Sequence, residues 1–327
     1  MTTSGSLLRV ALLVATCSAA LSRADTFGTD TFGTGENTFT IDFVTIGDPG
    51  NAADTVVPHP VSAPLPSGSV DYVYRMAKYE ISEEIIYKAN ALSNAEGHPL
   101  DLTMDVERGP QKPATGLSCF DAARFVNYLN EVKGAPPAYK FDANGIFQLW
   151  EPGDPGYDPE NQFRNRFARY FLPSADEWHK AAYYDPVNDR YWLYPYGSDE
   201  PPVPVASGTD PGTAVFNQDG PADVMLAGGE NLFGLVGMAG NIADFEESTR
   251  DLLNDDPLAA RGTNGGSWIF QLPENMSSVF RNSAFVDAKQ PRIGIRVVSV
   301  PEPSSLLLAL SSAVMMLIVR GQRRRAA

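Results

Sequence analysis

Cysteine is almost missing from this chain. Its 327 residues hold two, Cys17 and Cys119, and Cys17 falls in an apolar run at the N-terminus. The body of the chain therefore has no partner for an internal disulfide and no pair of thiolates for a soft metal. Histidine is nearly as scarce: His59, His98 and His179 are far apart, and none forms a spaced ligand pair of the kind zinc sites use. Basic clusters are absent except at the C-terminus. Lys and Arg total 25 against 40 Asp and Glu, a formal charge of −15. Six of the basic residues (Arg9, Arg23, Arg320, Arg323, Arg324 and Arg325) sit in the two tails, so the span between them is still more acidic. Such a surface repels phosphate backbones and anionic headgroups and excludes nucleic acid as a partner. Ser267 follows a glycine, but no Gly-x-Ser-x-Gly elbow surrounds it and no histidine pairs with it in an obvious triad.

Long apolar runs occur only at the ends. Arg9, the run Val10–Leu21 and the small residues of Ser22-Arg23-Ala24 have the order of an export signal over residues 1–24, with cleavage before Asp25. At the other end, Pro301-Glu302-Pro303 precedes the apolar run 304–319, and four arginines follow it. Sixteen helical residues rise about 24 Å, slightly less than a hydrocarbon core, and the arginines would stay cytoplasmic. This order resembles the PEP-CTERM sorting signal of bacterial exported proteins, which spans residues 300–327 here. The resemblance implies export machinery and an exosortase-type sorting protease as partners. It also implies a transient inner-membrane anchor and a final place outside the cell or in its envelope.

The intervening chain is long enough for one sizeable core. Residues 25–38 carry a near repeat, Asp25-Thr-Phe-Gly-Thr and Asp30-Thr-Phe-Gly-Thr, and are expected to form a flexible lead-in. The domain proper is expected over 39–298. Phe39–Ile46 alternates as a strand. Ser82 is placed to cap a helix with Ile85, Ile86, Ala89 and Leu92 on one face. Ser118 precedes Ala122, Phe125, Val126 and Leu129 at helical spacing, with Gly134 as the stop. Ser174 and Glu177 make a capping box before Trp178, Ala181 and Ala182. The segments 262–270, 279–285 and 293–298 have the composition of short strands. About three helices, many loops and short strands define an irregular α+β domain. The adjacent acids Glu246-Glu247 and Asp255-Asp256 are expected on the solvated surface.

Seven blocks then appear in the order found in the formylglycine-generating enzyme and sulfatase-modifying-factor family. They include Tyr79-Glu80-Ile81-Ser82, the helix opening at 115–130, Leu172-Pro173-Ser174-Ala175-Asp176-Glu177-Trp178 and Tyr196-Gly197. Asn231–Phe245, Arg261–Trp268 and Ile293-Gly294-Ile295-Arg296-Val297 complete the set. The chain resembles that family over roughly residues 40–298, which implies an irregular C-type-lectin-like fold. The resemblance also implies a calcium site formed by the carbonyls of Gly237, Gly240 and Ile242 with the Asp244 carboxylate, Asp standing where Glu is usual. The family's oxidase uses two cysteines that bind copper. The corresponding positions carry Phe270 and Asn275, so no copper and no formylglycine-generating activity are expected.

The function expected is a noncatalytic binding or structural domain of the bacterial envelope or extracellular matrix. A matrix polysaccharide or a peptide is its expected ligand. Trp192, Tyr194, Tyr196 and Arg281 are the candidate contacts, aromatic faces and a guanidinium being common anchors for such ligands. The alternative is an enzyme of a different reaction class, with Ser267, Arg281 and Arg296 converging on the fold's central cleft.

Overall fold

Ser82, Ser118 and Ser174 each open a helix in the computed structural model, which describes residues 27–55 and 66–300. The Ser82 hydroxyl accepts from the Ile85 amide at the start of α1, Glu83–Glu96. Glu83 and Glu84 place negative charge in the first turn, where the helix dipole favours it, and Gly97 ends the helix at φ +82°. Ile86, Ala89 and Leu92 are buried as the spacing predicts, and Ile85 is partly buried against the same core. Helix α2, Cys119–Val132, begins with a capping box between Ser118 and Asp121. Helix α3, Ala175–Tyr183, begins with the one between Ser174 and Glu177.

The helices serve two sheets. A five-stranded antiparallel sheet runs in the order Phe27–Phe32, Phe39–Ile46, Tyr74–Ala77, Val298–Ser299, Tyr170–Phe171. The last described strand therefore lies between an early and a middle one, with Val298 opposite both Met76 and Phe171. A four-stranded sheet runs Asn282–Ala284, Arg261–Asn264, Ala243–Thr249, Ile293–Gly294, the last pair parallel. Helix α1 packs on the Phe39–Ile46 strand, α2 on Tyr170–Phe171 and α3 on Ala243–Thr249. One large apolar core joins them, with Trp178, Phe43, Phe125 and Val297 fully enclosed.

Three expectations need correction. The expected flexible lead-in is the edge strand Phe27–Phe32, paired in register with Phe39–Val44. It is held because Phe32 is fully buried, stacking on Phe39 at 5.1 Å and meeting the Tyr170 ring edge-on. Asp30 adds an ion pair to Arg75 at 2.7 Å. The fold thus starts before residue 39. The expected strand 262–270 stops at Asn264, because Gly265 (φ +91°) and Gly266 (φ +71°) turn the chain away. The third correction concerns Glu246 and Glu247, which are 0% and 3% exposed. Their strand is covered on both faces, and each acid is matched by an arginine.

Among the described residues no helix is long and apolar enough to cross a membrane. The signal over 1–24, the tripeptide Pro301-Glu302-Pro303 and the apolar run 304–319 lie outside the described residues.

Candidate functional site

The strand Ala243–Thr249 organises the chemistry. All seven of its residues are buried, so its three acids have no water to solvate them. Burying an unpaired carboxylate costs several kcal/mol, and the fold supplies one guanidinium to each. Asp244 Oδ2 accepts from Arg296 Nε at 2.8 Å. Glu246 takes Arg281 in a fork, with Nη2 to Oε2 at 2.5 Å and Nε to Oε2 at 3.0 Å, and also accepts from Asn264. Glu247 Oε1 lies 3.1 Å from Arg164 Nη2. Arg281 and Glu246 leave so little room that a Cβ on Gly262 would lie 2.1 Å from Glu246 Oε2. Only glycine can pass that point.

The four positions expected to hold calcium lie on the turn that enters this strand. Gly237 and Gly240 adopt φ +74° and +77°, and a Cβ on Gly240 would lie 2.3 Å from the Val215 carbonyl oxygen. Asn241 also has positive φ and fixes the turn through its side chain, accepting from Ala222 N at 2.8 Å and donating to Glu80 Oε2 at 2.5 Å. Ile242 N donates to Glu80 Oε1. Asp244 is the decisive member. Its Oδ2 serves Arg296 and the Trp178 indole N–H at 3.1 Å, whereas its Oδ1 is buried with no hydrogen-bond partner. An orphaned carboxylate oxygen beside a glycine turn is a donor of the kind a hard cation takes, although the Gly237 carbonyl already accepts from Arg296 Nη2 at 3.3 Å.

Sequence reasoning missed Glu80. It is 2% exposed and lies behind the turn. Burial pushes its carboxyl up to about 8, opposed by Arg296 and reinforced by Asp244. The signal was present, since Glu80 belongs to the early block Tyr79-Glu80-Ile81, but an acid inside an apolar block does not reveal its partner. Glu80 also lines a cleft of about 280 Å³, together with Tyr79, Ile81, Glu84, Ile85 and Met225.

The expected ligand contacts do not form one site. Trp192, Tyr194 and Tyr196 share a loop, but Tyr194 is 3% exposed and stacks parallel to Tyr196 at 6.2 Å. The Trp192 indole donates to Asp185 and lies 3.8 Å beneath the Arg190 guanidinium. Arg281 is overturned as a ligand contact. It is 3% exposed, and beyond Glu246 it donates to the carbonyls of Thr249 and Arg250. Arg296 is likewise spent on Asp244 and on the carbonyls of Ala77, Lys78, Val236 and Gly237. Ser267 is fully buried, with an unpartnered hydroxyl. Arg281 and Arg296 therefore serve the interior, and the three residues present no polar cluster to a cleft.

The space beside the glycine-glycine-serine step is small. A cavity of about 20 Å³ is bounded by Gly266, Phe270, Phe280, Asn282 and Arg292, and the two phenylalanine rings meet edge-on at 6.4 Å. Asn275 lies in the short helical turn Pro273–Met276. Cys119 is 4% exposed at the start of α2, and burial pushes its thiol up to about 11. A lone protonated thiol and two substituted positions are a donor set that does not fit copper(I).

Residues 61–300 match the profile of the sulfatase-modifying factor enzyme 1-like domain. The chain belongs to this family. Treponema denticola variable protein 1 has a similar structure, with a TM-score of 0.55 at 15% identity, over 84% of this chain and 99% of that one. CarF is similar with a TM-score of 0.56 at 20% identity, over 80% and 99% of the two chains. PvdO from Pseudomonas aeruginosa gives 0.52 at 15% identity, over 85% and 100%. At these identities the likeness is one of fold. No curated protein sequence matches the chain.

Proposed function

We propose that this member of the family is an exported, noncatalytic binding domain of the bacterial envelope or matrix, with a saccharide or peptide as ligand. The observation that carries the reading is the state of the position where the family's oxidase holds its two cysteines. There the chain has Phe270 and Asn275, and Phe270 and Phe280 leave only about 20 Å³ beside them. A copper(I) oxidase needs thiolate ligands that this domain does not supply. The order of residues in the two terminal segments supports a role outside the cell.

The test combines two assays on the purified full-length chain. No stoichiometric copper(I) and no conversion of a sulfatase-derived cysteine peptide are expected, while an array of bacterial matrix saccharides and peptides yields at least one saturable ligand. Peptide conversion, or an array with no ligand in the presence of calcium, overturns the reading.

Calcium is proposed to support the domain through the carbonyls of Gly237, Gly240 and Ile242 and Oδ1 of Asp244. A ligand that binds only the folded state at one hundred times its Kd adds about 2.7 kcal/mol. Thermal melts of the full chain are therefore expected to rise by several degrees in calcium over chelator. Asp244→Asn keeps the side chain's shape but removes the charge, and should abolish that increment. An equal melting temperature with and without calcium counts against the site.

A further inference from the structure

A second cleft, of about 260 Å³, opens between the loop 135–167 and the end of the five-stranded sheet, far in sequence from the calcium turn. Its walls include Tyr72, Asp158, Asn161, Arg166 and Phe171, and its floor is Arg164. The floor is rigid. Arg164 Nη1 donates to Glu177 Oε1 at 2.9 Å, Nη2 lies 3.1 Å from Glu247 Oε1, and the guanidinium stacks 3.9 Å over the Phe171 ring. Both carboxylates are in turn saturated. Tyr72 and the Ser174 amide donate to Glu177, and Tyr139 (2.8 Å) and Asn161 (2.6 Å) donate to Glu247. Burial works against the charge on Arg164, but Glu177 and Glu247 hold that guanidinium well above its ordinary value.

Arg166 differs from every other arginine of this region. It lines the cleft, is exposed, and lies 4.9 Å over the Phe167 ring, but it forms no ion pair among the described residues. In a chain with 40 acidic and 25 basic residues, an unpaired arginine on a concave wall is an available anion donor. The Tyr72 ring stands 41% exposed on the same cleft. Asp158 adds a short polar side chain to the lining, whereas the amides of Asn161 and Asn165 are committed to Glu247 and the Pro155 carbonyl.

We propose that this cleft binds the carboxylated sugar ring of an acidic, uronate-containing polysaccharide. The Arg166 fork takes the carboxylate in a charge-assisted pair. The Tyr72 ring covers the apolar face of the pyranose. The Asp158 carboxylate meets its hydroxyls. A volume of about 260 Å³ is slightly below the roughly 300 Å³ where pockets for larger ligands begin, which suits one ring at a time. Phosphate is disfavoured, because a dianion would face Glu177 and Glu247 across a floor with a single guanidinium. The assignment rests on the reading of the protein as a binding domain and gives that domain its ligand class.

The experiment is calorimetric titration of the full-length chain with trigalacturonate, with a neutral trisaccharide (maltotriose), and with acetate. Trigalacturonate is expected to bind at least ten-fold more tightly than either control. Arg166→Gln should cost about ten-fold or more in that affinity. Its melting temperature should not change, since Arg166 is exposed and unpaired. Equal affinity for the neutral trisaccharide, or undiminished trigalacturonate binding by Arg166→Gln, overturns the proposal. Trigalacturonate failing while another saccharide or peptide binds overturns this site but leaves the binding-domain reading standing. Failure of every saccharide and peptide overturns both.

Discussion

Replacing Arg296 by methionine is expected to destabilise the domain by about 3–5 kcal/mol, the range for removing one partner of a buried ion pair. The guanidinium is fully buried and faces both Asp244 and Glu80 with positive charge. It also donates to four backbone carbonyls, those of Ala77, Lys78, Val236 and Gly237. Methionine fills much of the volume but donates to none of them. Asp244 would keep only the Trp178 indole, and two carboxyl groups would share a site without a counter-ion. For a domain of this size each kcal/mol moves the midpoint by about 2–4 °C, so the melting temperature should fall by on the order of 10 °C. Arg296→Lys restores the charge but cannot span five acceptors, and should fall between the two. Urea unfolding of the three proteins measures the effect, and a loss below about 1 kcal/mol for methionine would falsify the account.

The Arg281–Glu246 pair should behave differently when both partners change. Its side chains are 0% exposed, and Gly262 has given up its Cβ space to them. Arg281→Met alone strands the Glu246 carboxylate with only Asn264, at a cost of about 3–5 kcal/mol. Glu246→Leu alone strands a guanidinium that keeps the carbonyls of Thr249 and Arg250, with a loss of similar size. The double variant removes both charges, and buried pairs replaced by apolar groups of similar volume are often neutral or better. It should therefore recover most of either single loss, giving a coupling energy of at least about 2 kcal/mol. Additive losses in a double-mutant cycle would mean that packing against Gly262, not charge pairing, sets the energetics.

The helix starts were legible because capping is local. Ser118 with Asp121 and Ser174 with Glu177 lie three residues apart, and a three-residue spacing suffices to satisfy the first amides of a helix. The Phe39–Ile46 strand was legible by its alternation, and the order of family blocks carried the architecture. The glycine turn at 237–244 was readable because its positions lie within eight residues of one another. The edge strand Phe27–Phe32 was not. Its repeat of Thr, Gly and Asp has weak propensity, and only Phe39, Tyr170 and Arg75 make it a strand.

The sequence by itself determined that the body of this protein has no thiol pair, that its surface is strongly acidic, and where its three helices begin. Each of these depends on residue identity or on spacings of a few positions. Tertiary structure alone decided which charges are internal. Asp244, Glu246 and Glu247 look like three more acids in an acidic chain, yet each is buried against an arginine 52, 35 or 83 positions away. It also left Arg166 without such a partner. Ion pairing in an interior depends on which distant strands meet, and that is set by the closure of the whole fold.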